Sequence, residues 1–256
     1  HSMRLPDDLS DTRLLARRGL LDVIERADRR YQANPVASGM DGFREQAFSM
    51  LSSPRAKQAF DIEQVDAATR DRYGRNEWGE SILMARRLVD AGVRLVTISW
   101  MYFTKSRNVS NVWDNHGGID GKNGYEMLKA EFCLPSLDRG FHALMEDLSG
   151  SGQLDETLVA MFGEFGRTPK INKKTGRDHW GAVQSTVLCG GGIRGGQVYG
   201  TTDRDSAYPT SKPVSPEDML ATMHHALGIA PESEIRDALG RPHRIVNGRP
   251  LVELFV

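Results

Sequence analysis

The sequence has only two cysteines in 256 residues, Cys133 and Cys189, which excludes a disulfide framework and a cysteine-rich zinc module. One falls in a predicted helix and the other in a predicted strand, and both read as buried thiols. There is no excess of either charge. Thirty-three Lys and Arg stand against 34 Asp and Glu for a formal net charge of -1. The two signs are scattered among each other, so the electrostatic footprint of a nucleic-acid binder is missing. No run approaches about 18 consecutive apolar residues, and no charged-then-apolar stretch opens the chain, so neither a membrane span nor a signal peptide is visible in it. The G-x-S-x-G elbow of serine hydrolases does not occur. CGGGIRGG lacks the Walker lysine and hydroxyl pattern, and its glycines read as a tight turn after a strand. No internal repeat or low-complexity tract is present.

What is there suffices for one substantial core, read as an α/β unit at 81–256 preceded by a helical section at 1–80. Cap-type residues from Asp7 to Ser10 precede Thr12 to Arg30, where Leu14, Leu21 and Ile24 recur at helical spacing. Arg17, Arg18, Arg26, Arg29 and Arg30 interleave with Asp22, Glu25 and Asp28, as on a solvated face. Further helices are predicted at about 41–51 and 55–60, and 73–80 reads as an exposed loop. SILMARRLVDAG is a helix running at once into VRLVTISW, a β-branched run that fits a buried strand of a parallel sheet. After a polar loop at 101–122, residues 124–148 read as one amphipathic helix kinked at Pro135. TLVAMFG and QSTVLCGGG are the next strands. A last helix spans 216–227, with Ser215 as cap and Pro216 in its first turn.

The chemistry-bearing residues lie in loops beside these strands, where open parallel sheets bind ligands. In WDNHGG, Asp114 and His116 sit two apart in a loop that Gly117 and Gly118 allow to turn. They offer an oxygen and an imidazole nitrogen of the kind zinc or manganese accepts. The plainer alternative is an Asx turn at Asp114 and a surface His116. In GEFGRTP, Glu164 at the tip of an apolar strand needs a cation or a hydrogen-bond partner to stay charged. Either it ligates a metal while the Arg167 fork holds an anion, or it forms a structural pair with Arg167. GRDHW adds Arg177, Asp178 and His179, with Asp178 as a ligand or as the group that orients one. Adjacent helical residues face about 100° apart, so His224 and His225 read as structural, and so does His142.

The series LPDDLS, ARRLVDAGVRLVTISW, WDNHGG, LDETLVAMFGEFGRTPKIN, GRDHW, GGGIRGGQVYG and VSPEDMLATMHHALGI resembles a bacterial family, domain of unknown function 1501. That family looks like a branch of the alkaline phosphatase and sulfatase superfamily. Its members bind one or two divalent metals at the strand ends of a parallel sheet and transfer phosphoryl or sulfuryl groups. The resemblance implies an α/β fold with a parallel-sheet alkaline phosphatase-like core flanked by helices, of which this chain is the C-terminal part. It implies Asp114 and His116 as the first metal ligands and His179 as the last, with Glu164 at a strand-terminal carboxylate position. Phe165 stands where a paired histidine is expected, so a single-metal site is anticipated, with zinc first and manganese or calcium next. Arg167 or Arg177 would hold the anion.

The function this implies is a metal-dependent hydrolase of small phosphate or sulfate esters. The alternative is a noncatalytic binding or scaffold protein with an eroded metal site. The nucleophile, further ligands and any export signal are expected upstream, in a missing N-terminal half of the same protein. Kinship also implies a periplasmic or exported location.

Overall fold

The computed structural model describes residues 6, 8–27, 35–103 and 109–256, and the chain divides into two units. The first comprises the chain up to Ser99 together with Ser136–Phe141. The predicted cap at Asp7 and the predicted helix end at 28–30 lie outside the described residues.

In the first unit, α1 (Asp11–Ala27) and α2 (Pro35–Ser52) are joined by an ion pair between Arg18 and Glu45. The next three helices each start at a residue whose side chain accepts an amide of the first turn, satisfying a donor the helix cannot. Ser53 caps α3 (Pro54–Phe60), Asp66 caps α4 (Ala67–Tyr73) and Asn76 caps α5 (Glu77–Asp90). The loop expected at 73–80 therefore shrinks to Gly74–Asn76, because Asn76 starts a helix there. Tyr73, Trp78, Ile82 and Leu83 are buried and form the core between α4 and α5.

The second unit comprises Trp100–Pro135 and His142–Val256. Strands β1 (Met101–Phe103) and β2 (Val109–Asn111) form an antiparallel pair within the expected polar loop. The helix predicted at 124–148 is two helices. Asn123 and Glu126 close a capping box on α6 (Gly124–Lys129), and α7 (Leu134–Gly150) restarts with Pro135 in its first turn, where proline costs nothing. Next come β3 (Val159–Met161), β4 (Gly166–Arg167), β5 (His179–Trp180), β6 (Val187–Cys189), β7 (Thr201–Thr202) and β8 (Pro209–Ser211). Helix α8 (Pro216–Ala226) carries the predicted Ser215 capping box, and β9 (Glu234–Arg236) and β10 (Pro242–Arg244) form a last hairpin. Val112, Met127, Phe132, Cys133 and Leu148 are buried in this unit.

The parallel-sheet alkaline phosphatase-like core expected from the sequence is not what the chain forms. Among the described residues every sheet has two strands, and every pair is antiparallel. The two apolar strands did form, but β3 pairs with β6 antiparallel, Val159 opposite Cys189. A parallel pair needs a crossover, usually a helix. Between Met161 and Val187 stands only the Gly-rich polar segment carrying GEFGRTP and GRDHW, so the chain returns instead of crossing. Among the described residues nothing pairs with VRLVTISW as a strand, and Val93, Leu95 and Ile98 are 40%, 68% and 36% exposed. Its composition favours an extended backbone, but a strand also requires a neighbour.

Candidate metal centre

Two loops of the second unit are sewn together to make the site. The first runs from Trp113 to Lys122, and the second is the hairpin from β4 to β5. Arg177 N donates to Asn115 O at 2.9 Å, Gly124 N to Lys174 O at 3.0 Å, and the Asn115 side chain to Gly124 O at 2.9 Å. Two glycines permit this closeness: a Cβ on Gly176 would stand 2.3 Å from His116 C, and one on Gly124 would stand 2.1 Å from Thr175 O. Both distances are inside van der Waals contact, so any side chain there forces the loops apart.

Within the first loop, His116 N donates to Asp114 O at 2.9 Å, closing a turn that presents both side chains together. Strand pairing in the hairpin sets Arg167 opposite His179. Three nitrogens then converge on one oxygen. Asp114 Oδ1 accepts from Arg167 Nη2 and contacts His179 Nε2, both at 2.7 Å, and lies 3.1 Å from His116 Nε2. The other face of His116 is held by Asp178, whose Oδ1 is 2.9 Å from Nδ1. That contact puts the proton on Nδ1 and turns Nε2 toward Asp114, the usual way a carboxylate fixes the tautomer of a ligating histidine. Phe165 packs on His179 with ring centroids 4.4 Å apart.

The charges follow from these contacts. Partial burial pushes the Asp114 carboxyl up, but hydrogen bonds from Arg167 and His179 and the Arg167 charge outweigh it and hold the group below its ordinary value. The hydrogen bond to His116, then that from Asn172, holds Asp178 below its ordinary value too.

One carboxylate oxygen and two imidazole nitrogens, from Asp114, His116 and His179, lie within 4.8 Å of one another. This donor set fits a divalent ion of the zinc class, and three protein ligands leave one position open. The remaining residues singled out from sequence are placed differently. Glu164 is exposed in the bend after β3, and Arg167 pairs with Asp114 rather than with it. Arg177 spends its guanidinium on Thr168 O and Pro169 O, both at 2.7 Å, which shapes the hairpin. His142 contacts Glu146 on its own helix, His224 bonds Leu220 O and His225 packs on Phe255.

Sequence reasoning missed Asn172. Its Nδ2 donates to His116 O and to Asp178 Oδ1, both at 3.1 Å, while its Oδ1 accepts from Lys174 N and Gly176 N. It ties both loops and the histidine-orienting carboxylate to one side chain. The signal was NKKTG, an asparagine opening a tight turn that a glycine closes.

A family model described as "Protein of unknown function (DUF1501)" matches residues 1–255. No curated protein and no solved structure matches the chain.

Proposed function

We propose that this chain, which belongs to the DUF1501 family of proteins of unknown function, binds a divalent metal through Asp114, His116 and His179 and acts on a small phosphate or sulfate ester as a metal-dependent hydrolase. The observation that carries this is the convergence of two histidines and a carboxylate, with Asp178 backing His116. Zinc is the first choice because the set mixes imidazole nitrogen with a single oxygen, whereas calcium prefers a shell of oxygens. Such an ion supplies Lewis acidity toward the oxygens of a transferring phosphoryl or sulfuryl group.

The chain's own residues supply the rest. Asp178 keeps the His116 Nε2 lone pair aimed inward. Arg167 offers a planar fork of donors beside the three ligands, suited to the equatorial oxygens of a tetrahedral anion. Phe165 packs at a tilt against the His179 ring and steadies its orientation. Neither cysteine is a good nucleophile: burial pushes the Cys133 thiol up to about 11 and raises that of Cys189 as well.

Phe165 also favours a second reading. An aromatic ring packed on His179 removes room for further ligands, as in a binding protein that holds metal and anion without turnover. Metal content of the purified wild type and of His116→Ala, measured by mass spectrometry, tests the shared premise. The wild type should retain zinc and His116→Ala should lose it; equal content in both would sink the assignment. Release of phosphate or sulfate from aryl esters by the zinc-loaded wild type then separates hydrolase from binder.

A further inference from the structure

Arg167 stands where a cation would. Its Nη2 donates to Asp114 Oδ1 at 2.7 Å, and its Nη1 lies 3.5 Å from His116 Nε2. Two of the three candidate ligand atoms therefore already face a positive group. A zinc ion needs those same atoms about 2.0–2.2 Å away, and a guanidinium touching both is repelled by the incoming charge. The backbone at Arg167 is fixed by its pairing with His179 and by the bond from Thr168 N to Asp178 O. The side chain must therefore move by its own torsions. Its guanidinium carbon already lies 5.8 Å from the centroid of the Phe165 ring, a cation-stabilising face that stays beside the side chain as it turns away from Asp114.

We infer that Arg167 is an exchangeable counter-ion, neutralising Asp114 in the metal-free protein and turning to a tetrahedral oxyanion when metal enters, so that metal and anion bind cooperatively. This rests on the metal site proposed above and adds a regulation to it. Metal alone must displace the guanidinium and leave it without an anionic partner. Metal together with sulfate or phosphate gives it one. Coupling is reciprocal: whatever factor the anion adds to metal affinity, metal adds to anion affinity.

The test is calorimetric titration of the whole chain with zinc, with and without sodium sulfate at matched ionic strength, for wild type, Arg167→Gln, Arg167→Lys and His116→Ala. Folding of each variant is checked by circular dichroism. Sulfate should tighten zinc binding by the wild type by about fivefold or more. Arg167→Gln should bind zinc about tenfold tighter than wild type without sulfate, because the competing charge is gone, and should not respond to sulfate. Arg167→Lys keeps the charge and should stay near wild type for zinc alone. If Arg167→Gln binds zinc no tighter, if it still responds to sulfate, or if Arg167→Lys behaves like Arg167→Gln, the exchange is wrong. The metal site survives those results so long as His116→Ala abolishes binding. Absence of zinc binding in both wild type and Arg167→Gln overturns the site itself, and the exchange with it.

Discussion

The helices before residue 100 and the paired loops of the candidate metal centre are held by different forces. Around α4 and α5 the chain buries Tyr73, Trp78, Ile82 and Leu83, and capping residues settle where each helix starts. At the site, Asp114 and His116 are about two-fifths exposed at the side chain, and the loops are held by backbone hydrogen bonds, two glycines and Asn172. Apolar burial is non-directional and tolerates small shifts, whereas a polar network depends on each partner being in place. The first region should therefore govern stability and the second should govern ligand geometry.

The largest expected effect is in the helical region. Tyr73 has no exposed surface, and Tyr73→Ala removes a buried aromatic ring at a cost of about 3–5 kcal/mol. Urea denaturation followed by circular dichroism should show the loss. Zinc affinity of the folded variant, measured under native conditions, should stay at the wild-type level. A parallel fall in both would mean that the loops share the helical core's stability.

Next in size is Gly176→Ala. The added methyl meets His116 backbone at 2.3 Å, and overpacking of this kind costs about 1–3 kcal/mol. Here the pattern should reverse: a modest shift in the urea midpoint, with zinc affinity falling by at least about tenfold, the equivalent of 1.4 kcal/mol. Hydrogen exchange should rise at the Arg177 and Gly124 amides and not in α5. If the methyl were absorbed without loss of zinc, the close crossing of the loops would not be what positions His116.

A smaller effect on stability is expected from Asp178→Asn. It keeps an acceptor for His116 Nδ1 and the neighbour of Asn172 but loses the charge, so zinc affinity should fall by about 10–100-fold while the urea midpoint moves less than in Gly176→Ala. Unchanged affinity would show that the Asp178 contact orients nothing.

The same contrast explains what could be read from the sequence. Several helices were legible because their signals are local, such as Leu14 and Leu21 at helical spacing and Ser215 before Pro216, but α4 was not predicted and 124–148 was read as one helix. The grouping of Asp114, His116 and His179 was legible from residue type and loop position, although nothing local spans the sequence separation of 65 from Asp114 to His179. The sheet was not legible. TLVAMFG and QSTVLCGGG announce apolar strands, but pairing direction depends on how the chain returns, and the expectation of a parallel sheet came from the helix-then-strand order and from kinship rather than from the connecting segment. VRLVTISW shows the same limit, since propensity does not supply a partner. One of the two readings of GEFGRTP paired Arg167 with Glu164, its neighbour in sequence; the hairpin turns it to Asp114 instead.

The smallest effect is acid sensitivity, and its sign follows from the carboxylates. Asp114 and Asp178 are both held below the ordinary aspartate value when folded. A depressed carboxylate contributes its full stabilisation above the unfolded value, about pH 4, and loses it as pH falls through the lower folded value. Acidification from neutrality to about pH 5 should thus leave the loops intact. Below about pH 4 protonation releases first the contacts to His116, Arg167 and His179 and then the crossing they support. Among the described residues of the helical region one carboxyl is comparable, Asp66 at the start of α4, which the Thr69 amide also holds low. Its main hold, the ring of Tyr73 against its neighbours, has no proton to take up. Hydrogen exchange corrected for intrinsic rates should therefore show the Arg177 and Gly124 amides losing protection below about pH 4 while α5 keeps its own. Loss at the loops already near neutrality would show that the two carboxylates do not set the transition, and simultaneous loss in α5 would mean the two regions unfold as one.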